Sequence, residues 1–183
     1  MDVIKNKIDI LERIKAGGPA SVVTEDNGMS EALYGELKDA LYDANIIPVC
    51  IQCDEYETAL ELWKQVFLHT WEVILPYMDE DVLENEQDLY DRSIVAVDTS
   101  EISVNLESFL EEIKESLDLT VCYIFNHFDE LVVRQEEPDV MKVRGLTSLA
   151  AVVTISKESL ETLTEKKFND KYFCNQFITL TVE

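Results

Sequence analysis

Apolar positions along this chain alternate between helical spacing and short unbroken runs. Ile4, Ile8, Leu11 and Ile14 recur every three to four residues over 2–16, and Gly17-Gly18-Pro19 stops that helix. Ala20-Ser21-Val22-Val23-Thr24 reads as a short buried strand. Leu33, Leu37, Ala40, Leu41 and Ala44 then mark a helix of about four turns. Residues 46–51 form a second continuous apolar run, as expected of a strand covered on both faces. Over 57–75 a long helix is predicted, with Ala59, Trp63, Val66, Phe67, Thr70, Trp71 and Ile74 on one stripe. Two tryptophans there suit core packing, the commoner use, or a ligand platform.

The pattern fades in the acidic stretch 79–92, and Ser93–Asp98 reads as a short extra strand. Ile102, Leu106, Phe109, Leu110, Ile113 and Leu117 make a clear helix that leads into the strand Leu119–Phe125. Pro138 can open a helix that runs through Leu146. A fourth strand at 150–155, a helix at 157–164 and a fifth strand at 177–182 complete the chain. Strands separated by helices predict an α/β domain, with a mainly parallel five-stranded sheet covered on both faces. The 183 residues suit a single domain with one continuous core.

Charge narrows the function classes. Fifteen basic against 38 acidic residues give −23, spread along the whole chain. Such a field repels nucleic acid and anionic lipid, so neither direct nucleic-acid binding nor membrane binding is expected. Distributed acid serves solubility first; the sharper readings are a basic protein partner or mimicry of DNA. No apolar run approaches the ~20 residues that span a bilayer, and the N-terminus is not a signal peptide. Cys50, Cys53, Cys122 and Cys174 sit in strand-like runs, which suits reduced thiols of a cytoplasmic protein. Cys50-Ile51-Gln52-Cys53 is formally C-x-x-C, but no second ligand pair accompanies it, and residues three apart on a strand diverge.

Val22 to Ala32 carries the strand–turn–helix layout of a Walker A loop. Laying G-x-x-x-x-G-K-[ST] over it puts Glu25 and Ser30 at the two glycines, Glu31 at the lysine and Ala32 at the Ser/Thr. A plain acidic turn fits the same residues: Asn27-Gly28 is a strong turn pair, Ser30 an N-cap and Glu31 a first-turn acid. Four local matches keep the order of an ATPase core, the first being the helix before Gly17-Gly18-Pro19 and the strand after it, which look like the lead-in to a Walker A loop. Asn27-Gly28-Met29-Ser30 looks like the middle of a G-x-N-G-x-G-K-S loop. Residues Val121 to Leu131 look like a Walker B strand and its exit, and Leu149 to Ser156 like a strand ending in a polar sensor.

In this order the chain resembles the ATPase core of the AAA and STAND classes, particularly the origin-recognition-like and archaeal-type ATPases. The resemblance implies a P-loop fold with strand order 5-1-4-3-2. It further implies a vestigial phosphate loop at Glu25, Asn27, Gly28, Ser30, Glu31 and Ala32. A vestigial Walker B falls at Asn126 and His127, with Asp129 and Glu130 as the other possible pair, and a vestigial sensor at Thr154 and Ser156. Every departure removes chemistry. A charge pair at ~4 Å is worth about 4 kcal/mol at an effective dielectric near 20, so a glutamate for the lysine weakens nucleotide binding. Ala32 cannot ligate magnesium, Asn126 brings it no charge, and His127 is a poor substitute for the water-activating glutamate.

The expectation is therefore a pseudo-ATPase with no catalytic residues, metal or cofactor. It would act as an interaction or regulatory module, as a monomer or in a hetero-complex with a basic protein or a related ATPase. The alternatives are a nucleotide-binding switch with an atypical loop and an acidic DNA mimic. There is no G-x-S-x-G elbow, and two histidines, His69 and His127, are too few for a histidine-rich metal site. The resemblance puts the end of the fifth core strand at Glu183, before any helical lid. The chain would then be either a stand-alone core or the N-terminal part of a longer protein.

Overall fold

The structure is a computed structural model that describes residues 2–24, 27–169 and 176–182. Helix α1 (Asp2–Lys15) ends at Gly17, whose φ of 77° lets the Gly18 N–H turn back to the Arg13 carbonyl at 3.1 Å. Strand β1 (Ala20–Thr24) follows, then α2 (Asn27–Asp43), β2 (Ile47–Gln52) and α3 (Ala59–Ile74). After these come α4 (Glu80–Val95), α5 (Thr99–Leu117), β3 (Val121–Asn126), α6 (Phe128–Arg134) and α7 (Glu137–Leu146). Strand β4 (Ala151–Ser156), α8 (Leu160–Phe168) and β5 (Ile178–Val182) complete the order.

All four strand pairings are parallel, in the order β2-β3-β4-β1-β5, which is the expected 5-1-4-3-2 arrangement. Parallel strands need crossovers, and the helices supply them on both faces of the sheet. On one face Ile10 and Ile14 of α1 and Leu33, Leu37 and Leu41 of α2 meet Val22, Ile124 and Ile155. On the other, α3 and α5 pack on Val49, Tyr123 and Phe125. Trp63 is fully buried there, and Trp71 lies 5.3 Å from Phe109 between ring centroids, so the tryptophan stripe is core. Cys53 belongs to that core, whereas Cys50 borders the opposite one, so the two thiols diverge as their spacing requires. Cys174 lies outside the described residues.

The expected extra strand at 93–98 does not form. Ser93–Val95 is the last turn of α4, and Asp98 caps α5 through the Ser100 N–H at 2.6 Å. Ile94, Val95 and Val97 resemble a strand because they are β-branched, but Val95 and Val97 are 71% and 84% exposed. Helix α4 is held instead by Val82, Leu89 and Ser93. The Ser93 hydroxyl donates to the Leu89 carbonyl and accepts from the Asn105 amide of α5. Helix α6 was not expected from the sequence.

The sheet edges differ. Ile47 N–H donates to the Thr120 carbonyl, so the ladder alternation turns Ile47, Val49 and Ile51 toward β3 and Pro48, Cys50 and Gln52 outward. Pro48 has no N–H to offer, and the Cys50 carbonyl accepts from His69 Nδ1 at 3.2 Å. Those two features blunt that edge. No described helix is long and apolar enough to cross a membrane.

Candidate functional site

Open parallel sheets bind ligands beyond the carboxyl ends of their strands. Here that rim joins α2 to the ends of β2 and β3. Strand β1 ends at Thr24 and α2 begins at Asn27, so only residues 25 and 26 separate them. Glu25, the first residue of the motif overlay, lies outside the described residues. Asn27, Gly28, Ser30, Glu31 and Ala32 all lie within α2. Ser30 is therefore the fourth helical residue rather than an N-cap, and Glu31 falls beyond the first turn.

Ser30 is buried, and its hydroxyl donates to Asn126 Oδ1 at 2.6 Å. Asn126 is fully buried at the end of β3; its Nδ2 donates to Glu31 Oε1 at 3.0 Å and to Gln52 Oε1 at 2.9 Å. Both amide hydrogens and the carbonyl oxygen are thus engaged. Glu31 Oε1 also meets His127 Nε2 at 2.9 Å, and since an ionised carboxylate only accepts, Nε2 carries the proton. Gln52 Nε2 reaches Glu31 Oε2 at 3.4 Å, which closes the ring of contacts. His127 sits at φ 52° and ψ 43°, a left-handed elbow between β3 and α6 that brings its ring to Glu31.

The contacts bring one hydroxyl of the loop region to Asn126. The P-loop Ser/Thr and the Walker B acid hold one magnesium between them, so they must face each other. Ser30 faces Asn126, whereas Ala32 is exposed. Met29, just before Ser30, packs against the core of the α1–α2 face.

Asp129 and Glu130 do not join the cluster. Glu130 pairs with Arg134 one turn along α6 at 3.2 Å, and Asp129 Oδ1 is buried without a hydrogen bond. Thr154 and Ser156 share the sheet face of Val152, opposite to the Asn126 side chain. The Ser156 hydroxyl donates to the Glu158 carbonyl at 2.7 Å. Thr154 Oγ1 is buried and unpaired, as is Oγ of its register partner Ser21 on β1. Gln52 is the member of the cluster that sequence reasoning missed. Its signal was a polar residue closing an apolar strand at the carboxyl rim.

Several solved structures share this architecture. The chain superposes over its full length on the Aeropyrum pernix ORC1 protein in complex with DNA, with a TM-score of 0.61 and 12% identity. It covers 98% of itself on Drosophila ORC bound to GC-rich DNA and Cdc6 (TM-score 0.60, 10% identity). A third match is the Aeropyrum pernix ORC2 protein in its ADPNP–ADP complexes (TM-score 0.60, 9% identity, 98% of this chain). The fold is that of the ORC and Cdc6 ATPase domains. The chain spans 44%, 28% and 46% of those three chains, less than half of each. No family model matches the sequence, and no curated protein does.

Proposed function

We propose that this domain is a catalytically inactive member of the ORC-like fold, a pseudo-ATPase that works as a protein-interaction or regulatory module. The observation that carries the reading is the saturated Asn126 amide. The position from which an acid would hold magnesium is filled by a neutral group bonded to Ser30, Glu31 and Gln52. The Ser30–Asn126 contact supports reading Gly28-Met29-Ser30 as the G-K-[ST] place, two residues ahead of the overlay; with Met29 for the lysine and Glu31 close by, these residues do not suit a magnesium nucleotide. Glu31 brings a negative charge where phosphates need a positive one.

The second reading, a nucleotide-binding switch with an atypical loop, draws on Ser30 and Asn126, which still face each other like a magnesium-ligand pair. Calorimetric titration with Mg-ATP separates the two. Affinity weaker than millimolar is expected, with no ATP or GTP hydrolysis; micromolar binding would install the second reading instead.

A module of this kind acts through partners, in a reduced cytoplasmic setting. Drosophila ORC is found with Cdc6 and DNA, and a hetero-complex with a related ATPase or a basic protein suits this chain. A charge of −23 opposes direct contact with DNA, and the DNA-mimic alternative rests on charge alone.

A further inference from the structure

We propose that the outer edge of β5 receives an extended, lysine- or arginine-rich segment of a partner protein, which adds to the sheet as a sixth strand. The proposal names a surface for the interaction-module reading, and rests on that reading only for there being a partner.

The ladder fixes which groups are free. Ile178 N–H donates to the Pro19 carbonyl at 3.3 Å, so Ile178 and Leu180 turn toward β1 while Thr179 and Thr181 turn their N–H and C=O groups outward. No described residue bonds those outward groups. Ile178 is 45% exposed, and Thr179 and Thr181 are exposed too. Natural sheets blunt a free edge with proline, charge or a covering group. Strand β2 has two of these devices, Pro48 and the His69 bond to Cys50. Among the described residues strand β5 has none: Ile178 to Val182 holds no charge, proline or glycine, in a chain that is 29% charged.

Charge selects the occupant. A second copy would bring another −23 to the same edge, whereas a basic strand is drawn by the field and held by backbone pairing. Strand alternation sets its composition. Every second residue would continue the apolar row of Ile178 and Leu180 on the α1 face, with basic residues between. This is strand addition, in which the main chain supplies affinity and alternate side chains supply specificity.

The test uses a short capped peptide of alternating valine and lysine, with a glutamate-for-lysine analogue. Hydrogen exchange read by NMR on the intact protein should slow about tenfold or more at the Thr179 and Thr181 amides, and little at Ile178 and Leu180. Thr179→Pro removes one outward N–H without touching the β1 ladder, and should cut affinity about tenfold. Thr179→Ala should bind normally, and melting curves of both variants check that the strand is intact. The proposal is overturned if millimolar lysine peptide protects neither amide or the glutamate analogue binds equally well. Protection of the same amides by self-association in the absence of peptide would overturn it too. None of these outcomes bears on the Mg-ATP titration.

Discussion

Asn126→Asp puts an acid at the position proposed above for that of a Walker B strand, and the geometry says it should damage this protein. The new carboxylate would replace Nδ2, which now lies 3.0 Å from Glu31 Oε1 and 2.9 Å from Gln52 Oε1, at a position with no exposure. Two unit charges 3.0 Å apart repel by about 5 kcal/mol at an effective dielectric near 20. The Glu31 side chain is 52% exposed, and solvent screening reduces that to about 2 kcal/mol. Two lost donor bonds add about 1 kcal/mol each, for a total near ~4 kcal/mol at neutral pH. That is a large share of the 5–15 kcal/mol that about holds a typical domain folded. Urea denaturation measures it. The sign of the pH dependence is also fixed. Like charge and burial raise the folded-state pKa of the new carboxyl, so the folded state keeps a proton that the unfolded chain loses. The variant should therefore lose stability as pH rises from about 4 toward neutrality. Adding Glu31→Gln should recover about half of the loss. If Asn126→Asp matches the parent at pH 7, Glu31 and Asn126 are not the coupled pair described here.

Thr154→Val removes a hydroxyl that is fully buried and bonds nothing, so stability should rise by about 1 kcal/mol in the same assay; a fall would mean that the hydroxyl has a partner in solution. Alkaline pH should destabilise the fold, because burial pushes the Cys53 and Cys122 thiols and the Tyr123 phenol well above their ordinary values. Groups whose folded pKa is raised stabilise fully below the unfolded pKa. The loss should thus begin above about pH 8.5 and steepen above about 10, as melting temperatures across that range would record.

The strands were legible because each is an apolar run bounded by glycine, proline or polar residues, and burial on both faces leaves no alternation to confuse. Helix α4 was not. Only Val82, Leu89 and Ser93 of its sixteen residues are buried, and its helical period hides among carboxylates until Asp79 is seen to cap it. The site was half legible. The polar residues at the ends of β1 and β3 stood out, but their register depends on which hydroxyl meets Asn126, a contact across 96 positions. Gln52 was silent for the same reason: its role exists only once β2 lies beside β3. Local patterning predicts elements, whereas the cluster is made by their tertiary neighbours.

The blunted edge at β2 limits how far association by strand addition can go. Head-to-tail growth would require the β5 of one copy to pair with the β2 of the next, and Pro48 and His69 stop it. In polymer terms the sheet is monovalent: one addition exhausts it, and a fibre needs two reactive ends. Strand addition at β5 should therefore yield one-to-one complexes rather than ribbons, although β5 by itself has the composition of an aggregating segment.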